Sequence, residues 1–384
     1  MTNTRTYFEN LDGLRFLAFL AVFVAHVFDF SGFKPASDES QHLIEHFFLH
    51  GDLGVSFFFV LSGFLITYLL LQEKNISNKI SISEFYMRRI LRIWPVYFLT
   101  IGMGFWLIPQ LFSGADSALL PFKINAPSER LPWYLCFAAN FDIVANGPGF
   151  LIVSVLWSVS VEEQFYLLWP LLNRIASRRT LTVFILLVVA ISFYYRWDIY
   201  LNSYKVKYAT FSVMNDLAIG SLTGTLCFYS NGFRNYFIHV KKGSIVLVYV
   251  ILFSLIPTRL YMFTLPDNYI HFLIADEPVV FSVLFAFIIM EQNYSNNSLF
   301  KLFRLKPLNY LGKISYGLYS YHIICLFLTG FVFRYFFQDA IKSSIPLFIF
   351  QFVVSLAMSI LLSSLSYSYF ERLFLNIKKR FEIH

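Results

Sequence analysis

The chain is 384 residues long; 57% of them are hydrophobic, 47 are phenylalanine and only 14% are charged. A soluble domain carries about 25% charged and about 45–50% apolar residues, so the composition excludes a soluble fold. It predicts an all-α, polytopic membrane protein, in which every backbone polar group is satisfied within its own helix. The formal net charge of +7 comes from Lys and Arg in short loops between apolar segments. That distribution orients membrane proteins, and no nucleic-acid partner is expected.

Apolar segments near the ~20 residues needed to cross a bilayer occur at 12–30, 54–71, 91–110, 153–174, 181–197, 208–229, 244–262, 270–290, 314–333 and 346–370. The first has no small-residue cleavage site and reads as a retained span. An eleventh segment, "LPWYLCFAANFDIVANGPG" (131–149), is short, interrupted by Asn140 and Asp142, and ends in Gly-Pro-Gly. If it stays out of the membrane, Arg88, Arg89 and Arg92 fall on the same side as Arg174, Arg178 and Arg179, Arg234, Lys241 and Lys242, Lys301 to Lys313, and Lys378, Lys379 and Arg380. The positive-inside rule then predicts a bundle of about ten transmembrane helices with both termini cytoplasmic. The outer segments become 31–53 (with Asp38, Glu39, Glu45 and Asp52), 111–152, 198–207, 263–269 and 334–345. No repeat or soluble appendage is visible, so 1–384 is expected to be one domain, its basic tail "FLNIKKRFEIH" lying against the anionic inner leaflet. Cys136, Cys227 and Cys325 are scattered, and neither a disulfide framework nor a metal site is expected.

Ionisable groups inside spans are expensive, which makes each a candidate functional residue. The first span opens with Asp12 and Arg15 and ends near His26. On a helix Arg15 and His26 point within about 20° of each other but lie about 16 Å apart along the axis, so they share a face without touching. Asp12 is one turn from Arg15 and suited to pair with it; the two read either as a border charge pair or as part of a site. His26 is deep, and histidine is the side chain that moves protons near neutrality. In the second span, Ser62-Gly63 reads either as small-residue packing or as a place where backbone approaches a ligand. "FYMRRILRIWPVYF" puts Arg88, Arg89 and Arg92 at the mouth of the third span, either as an orientation signal or as a phosphate clamp. "LWSVSVEEQFYLLWP" sets Glu162 on one face with Tyr166, and "KISYGLYSYHIIC" sets Ser315, Tyr319 and His322 on one face, where tyrosines are commonly belt residues and a histidine a satisfied core residue. Together these describe an internal polar cavity containing a histidine, with arginines at its cytoplasmic entrance.

In this order, "LDGLRFLAFLAVFVAH", "GVSFFFVLSGFLIT", "FYMRRILRIWPVY", "LWSVSVEEQFYLLWP", "ISYGLYSYHI" and the closing "SYSYFERLF" resemble the motifs of acyltransferase family 3, the integral-membrane enzymes that O-acylate saccharides and related acceptors. The resemblance covers nearly the whole chain. It departs at Ser56, where the family usually has aspartate, and at Leu373, where a proline commonly follows the closing glutamate. The resemblance implies acyl-CoA, with acetyl as the expected group, as a co-substrate entering from the cytoplasm, with no permanently bound cofactor. It further implies a saccharide hydroxyl as acceptor and a bacterial inner-membrane location. In this reading His26 is the general base, with Arg15 and Glu162 beside it in the catalytic set. Arg88, Arg89, Arg92, Ser62 and Gly63 bind acyl-CoA, and Asp12, Ser315, Tyr319 and His322 support the acceptor site. Membrane lipid is the surrounding partner; a second copy of the chain or an envelope protein is left open. The competing class is a transporter or flippase for a lipid-linked saccharide, although the internal repeats frequent among such bundles are absent.

Overall fold

Long apolar runs have one low-energy solution in lipid, the helix, which there tolerates an interior proline such as Pro95 or Pro278. The computed structural model describes residues 8–31, 33, 48, 50–124, 127–149, 151–262, 267–337, 340 and 344–382, and among these every regular element is helical. Asp38, Glu39 and Glu45 of the expected first outer segment lie outside the described residues. In chain order the elements are α1 (Asn10–Ser31), α2 (Gly51–Ser77), α3 (Ile82–Leu111, continuous through a π-turn at Met103–Leu107), the short α4 (Ala139–Asn146), α5 (Leu156–Ile175) and α6 (Arg178–Ile199). They continue with α7 (Ser203–Tyr208), α8 (Thr210–Tyr229), α9 (Lys242–Met262), α10 (Asp267–Tyr294), α11 (Lys306–Lys313), α12 (Ser315–Phe337), α13 (Ile345–Leu365) and α14 (Arg372–Lys378).

Local chemistry sets the boundaries. Ser177, Asn202 and Ser344 cap α6, α7 and α13 by accepting from the backbone N–H three residues on, the usual device for orphan amides at a helix start. The 131–149 segment breaks at Phe137, whose φ is 53°, into helices of five and eight residues. Neither has the length to cross a bilayer.

Seven helices among the described residues are long and apolar enough to span a membrane: α1, α2, α3, α6, α9, α12 and the run beginning with α13. The helices α5, α8 and α10 fall on the other expected spans but carry Glu162 and Glu163, Asp216, and Asp276, Glu277 and Glu291 respectively. Of these, Asp216 and Glu291 are buried inside the bundle, where protein rather than lipid surrounds them. The chain is an integral, multi-pass membrane protein.

Helix α2 is central, packed on α1, α5, α8 and α10. A Cβ on Gly63 would lie 2.1 Å from the Leu217 carbonyl oxygen, and one on Gly220 would lie 2.0 Å from the Val60 carbonyl oxygen, so α2 and α8 touch backbone to backbone. This is the small-residue packing that replaces hydrophobic drive in lipid. At the end of α2 that carries Asp52, Arg259 of α9 makes paired bonds of 3.1 and 2.6 Å to Asp52 and a further ion pair with Glu277 of α10. Because the obstacle at Gly63 is backbone, Gly63→Ala must push the two helices apart. The expected loss is about 1–3 kcal/mol, seen as a lower thermal unfolding midpoint in detergent. Gly102→Ala, which meets open space, leaves the midpoint unchanged or slightly raised.

Candidate active site

The arginines of α3 are neighbours in sequence but occupy three environments. Arg88 is buried; it donates to Glu73 Oε2 at 2.8 Å and to the Phe381 carbonyl at 2.8 Å, and lies 3.8 Å from Glu84. Glu73 is completed by the Ser81 amide at 2.7 Å. This cluster ties α2, α3 and the C-terminal tail together. Arg89 lies over the rings of Phe85 and Tyr166, 5.5 Å from each centroid. Arg92 makes no hydrogen bond or ion pair with the described residues and faces the interior space of the bundle.

That space has two parts. An inner chamber of about 100 Å³ is bounded by Arg15, Ser62, Arg89, Arg92, Glu162, Tyr166, Ser315 and Tyr319 with apolar residues of α2. A wider vestibule of about 400 Å³ is lined by Asp12, Arg88, Lys313, Glu371, Lys378 and Glu382, and meets the chamber at Arg15, Leu65, Arg89, Arg92 and Tyr316. Its six cations (Arg15, Arg88, Arg89, Arg92, Lys313 and Lys378) face three carboxylates (Asp12, Glu371 and Glu382), so the vestibule attracts anions. The expected Asp12–Arg15 pair is present at 2.6 Å. In the chamber, Ser62 donates to Glu162 Oε1 at 2.7 Å and Tyr166 to Glu162 Oε2 at 3.2 Å. Glu163 turns away to accept from the Trp94 indole at 3.0 Å. Gly63, expected beside the donor, faces α8 instead. Of the pair, Ser62 alone lines the chamber.

His26 lies outside both cavities. Its Nδ1 is 2.8 Å from His322 Nε2, and His322 Nδ1 is 2.7 Å from the Tyr319 carbonyl. A carbonyl only accepts, so His322 carries its proton on Nδ1 and, when neutral, accepts on Nε2. His26 is then the donor through Nδ1–H, and its Nε2 holds a lone pair that no described residue engages. Phe19, edge-on to His322 at 5.8 Å, and Phe30, parallel to His26 at 5.7 Å, fix the two rings. Between this pair and the chamber stands Tyr319, whose hydroxyl is 2.7 Å from Ser158 Oγ and 3.2 Å from the Val155 carbonyl, with Phe58 edge-on at 5.8 Å. The single cavity containing a histidine that the sequence suggests is therefore a chamber and a histidine pair separated by a wall.

The reading of the sequence missed three groups. Ser158, within the quoted fourth-span motif, fastens Tyr319; Glu73 neutralises Arg88; and Asp216 stands next to Ser56. The Asp216 carboxylate accepts from Ser56, from Ser282 at 2.5 Å and from Asn215 at 2.7 Å. A carboxylate is thus present near position 56 although Ser56 itself lacks one. Leu373, the other departure, is exposed on α14. No group of three or more His, Cys, Asp or Glu side chains among the described residues could hold a metal ion.

The three arginine environments predict different effects. Arg88→Met leaves buried Glu73 unpaired and lowers stability by about 3–5 kcal/mol, whereas Arg88→Met with Glu73→Leu recovers most of it. Arg92→Ala changes stability by less than about 0.5 kcal/mol. Thermal unfolding of the detergent-solubilised variants measures all three.

Comparison with known proteins identifies the family. The acyltransferase family 3 model, described as "Acyltransferase domain", matches residues 8–365. The O-acetyltransferase OatA of Staphylococcus aureus (strain NCTC 8325 / PS 47) is 26% identical over 384 residues, covering 95% of this chain and 57% of the relative. The peptidoglycan O-acetyltransferase OatA of Listeria monocytogenes serovar 1/2a is 26% identical over 342 residues, covering 85% of this chain and 50% of the relative. The chain thus spans little more than half the length of these relatives. No solved structure matches it. With a family model covering its sequence from the first described residue to the end of α13, the chain belongs to acyltransferase family 3.

Proposed function

We propose that this chain is a membrane O-acetyltransferase that takes an acetyl group from acetyl-CoA at its basic vestibule and delivers it to a hydroxyl of a cell-envelope saccharide. The observation that carries the reading is the orientation of the histidine pair: a lone pair on His26 Nε2, held in place through His322, beyond a chamber whose mouth is cationic. Acyl transfer to an alcohol needs a base for the hydroxyl proton and a holder for the donor's phosphates, and these are the two ends of the passage. The curated relatives carry the name O-acetyltransferase, and one of them peptidoglycan O-acetyltransferase; a glycan acceptor follows by analogy.

His26 Nε2 removes the acceptor's proton as its oxygen attacks the thioester carbonyl. The tetrahedral intermediate collapses with cleavage of the carbon–sulfur bond, and the leaving thiolate takes the proton back from His26. His322 is a positioning residue, holding His26 in the tautomer that leaves Nε2 as the base. Arg89 and Arg92 hold the donor's diphosphate, while Arg88, spent on Glu73, positions the helix that carries them. The Tyr319–Ser158 wall must part for the acetyl thioester to reach His26. In this reading the chain makes ten spans with both termini cytoplasmic, the vestibule lies on the acetyl-CoA side of a bacterial inner membrane, and His26 lies toward the envelope.

The reading is tested by expressing wild type and His26→Ala at equal abundance in a host with a simple surface glycan, and weighing the glycan by mass spectrometry. O-acetyl groups that appear with wild type and vanish with the variant support it; acetylation that survives the variant removes His26 from the chemistry. A transporter releases no CoA from acetyl-CoA, so CoA release by purified protein separates the classes. The positioning role predicts that His322→Ala lowers kcat about 10²–10³-fold with the KM for acetyl-CoA unchanged, in steady-state CoA-release kinetics.

A further inference from the structure

We infer that the vestibule contains a second anion subsite, built around Lys378 and separate from the arginine throat, that takes the terminal phosphate of a nucleotide-bearing acyl donor. The inference rests on the acyl-CoA reading above and assigns the outer part of that site.

The cations are ordered along the passage. Arg15, Arg89 and Arg92 border both chamber and vestibule, whereas Lys313 and Lys378 border the vestibule alone. Lys378 is held there by construction. After α13 the chain passes through a π-turn (Ser366–Glu371) into α14, which lies along α3. The tail beyond is latched where Arg88 Nη1 donates to the Phe381 carbonyl at 2.8 Å, and Arg88 is itself fixed by Glu73. The Lys378 side chain, 20% exposed, therefore lines the vestibule from a fastened helix.

Its charge is poorly compensated. Arg92 and Arg89 both repel it across the cavity. Among the described residues its ion pair is with Glu382 at 3.2 Å, a partner 35% exposed and one turn away; such surface pairs contribute little. Glu371, the other nearby carboxylate, attracts Arg92 and accepts from Ser366 at 3.1 Å. Gathering like charges around one cavity is unfavourable unless an anion fills it.

An acyl-CoA has the matching order of charge: a thioester at the end of a neutral pantetheine arm, then a diphosphate, then a ribose 3′-phosphate farthest out. With the arm in the chamber, the diphosphate meets the arginines, whose planar forks pair with its non-bridging oxygens. The 3′-phosphate then meets Lys378, a compact point charge suited to a terminal dianion.

The test compares acetyl-CoA with 3′-dephospho-acetyl-CoA as donors for purified full-length protein, read as kcat and KM of thiol release. Lys378→Ala is expected to raise the KM for acetyl-CoA about tenfold, the loss of one charged hydrogen bond, and to leave kcat and the KM for the dephospho donor unchanged. Lys378→Arg retains most of the wild-type preference. Binding of adenosine 3′,5′-bisphosphate against adenosine 5′-monophosphate reads the same contrast without turnover: wild type prefers the bisphosphate and Lys378→Ala does not. Equal effects of Lys378→Ala on both donors, or no effect on either, would overturn the subsite while leaving the acyl-CoA reading intact. A wild type that releases thiol from neither donor and binds neither nucleotide defeats the acyl-CoA reading and the subsite with it.

Discussion

Lipid gives helices no hydrophobic reason to associate, so a membrane bundle is held by shape and by polar contacts it can bury. Here α2 fits against α8 backbone to backbone at Gly63 and Gly220. From it follow the positions of other groups. With Gly63 turned to α8, Ser62 faces α5 and reaches Glu162; at the other end of the same contact, Ser56 meets Asp216. The chamber is the space left on the side of α2 away from α8, closed by α1, α3, α5 and α12.

Burial of charge is the second constraint, and the bundle meets it in more than one way. Arg88 and Glu73 neutralise each other, the arginine bordering the vestibule and the carboxylate lining neither chamber nor vestibule. Glu162 has both oxygens satisfied by hydroxyls in a chamber that also holds Arg89 and Arg92. Arg92 faces open space. Identical side chains thus serve different ends: Arg89 points to a different side of α3 from Arg88, and Arg92, on the same face as Arg88, sits one turn farther along, where it borders the chamber.

How much of this was legible in the sequence depended on how far apart the partners lie along the chain. Hydropathy located the long helices, and the i, i+3 spacing of Asp12 and Arg15 named their pair. The broken helix at 131–149 was foreshadowed by its polar interruptions. Contacts across hundreds of residues were not readable: His26 with His322, Arg88 with the Phe381 carbonyl, Ser158 with Tyr319. His322 was singled out as sharing a face with Tyr319, yet nothing local says that this face meets α1. The Ser62-Gly63 pair carried both of its readings at once, glycine for packing and serine for the chamber, which a sequence treating them as one motif could not separate.

Asp216 has a consequence for how such chains vary. Its carboxylate reaches Ser56 from α8, the helix pressed closest to α2, so a negative charge can occupy this region from either of two backbones. Aspartate at both positions would set two carboxylates against each other in a buried space, where like charges are costly; with neither, the neighbouring hydroxyls and Asn215 lose their acceptor. The two positions therefore share one buried environment, and a change of charge at either is felt at the other. Here the carboxylate beside position 56 is supplied from across the helix contact, by α8 rather than by α2 itself.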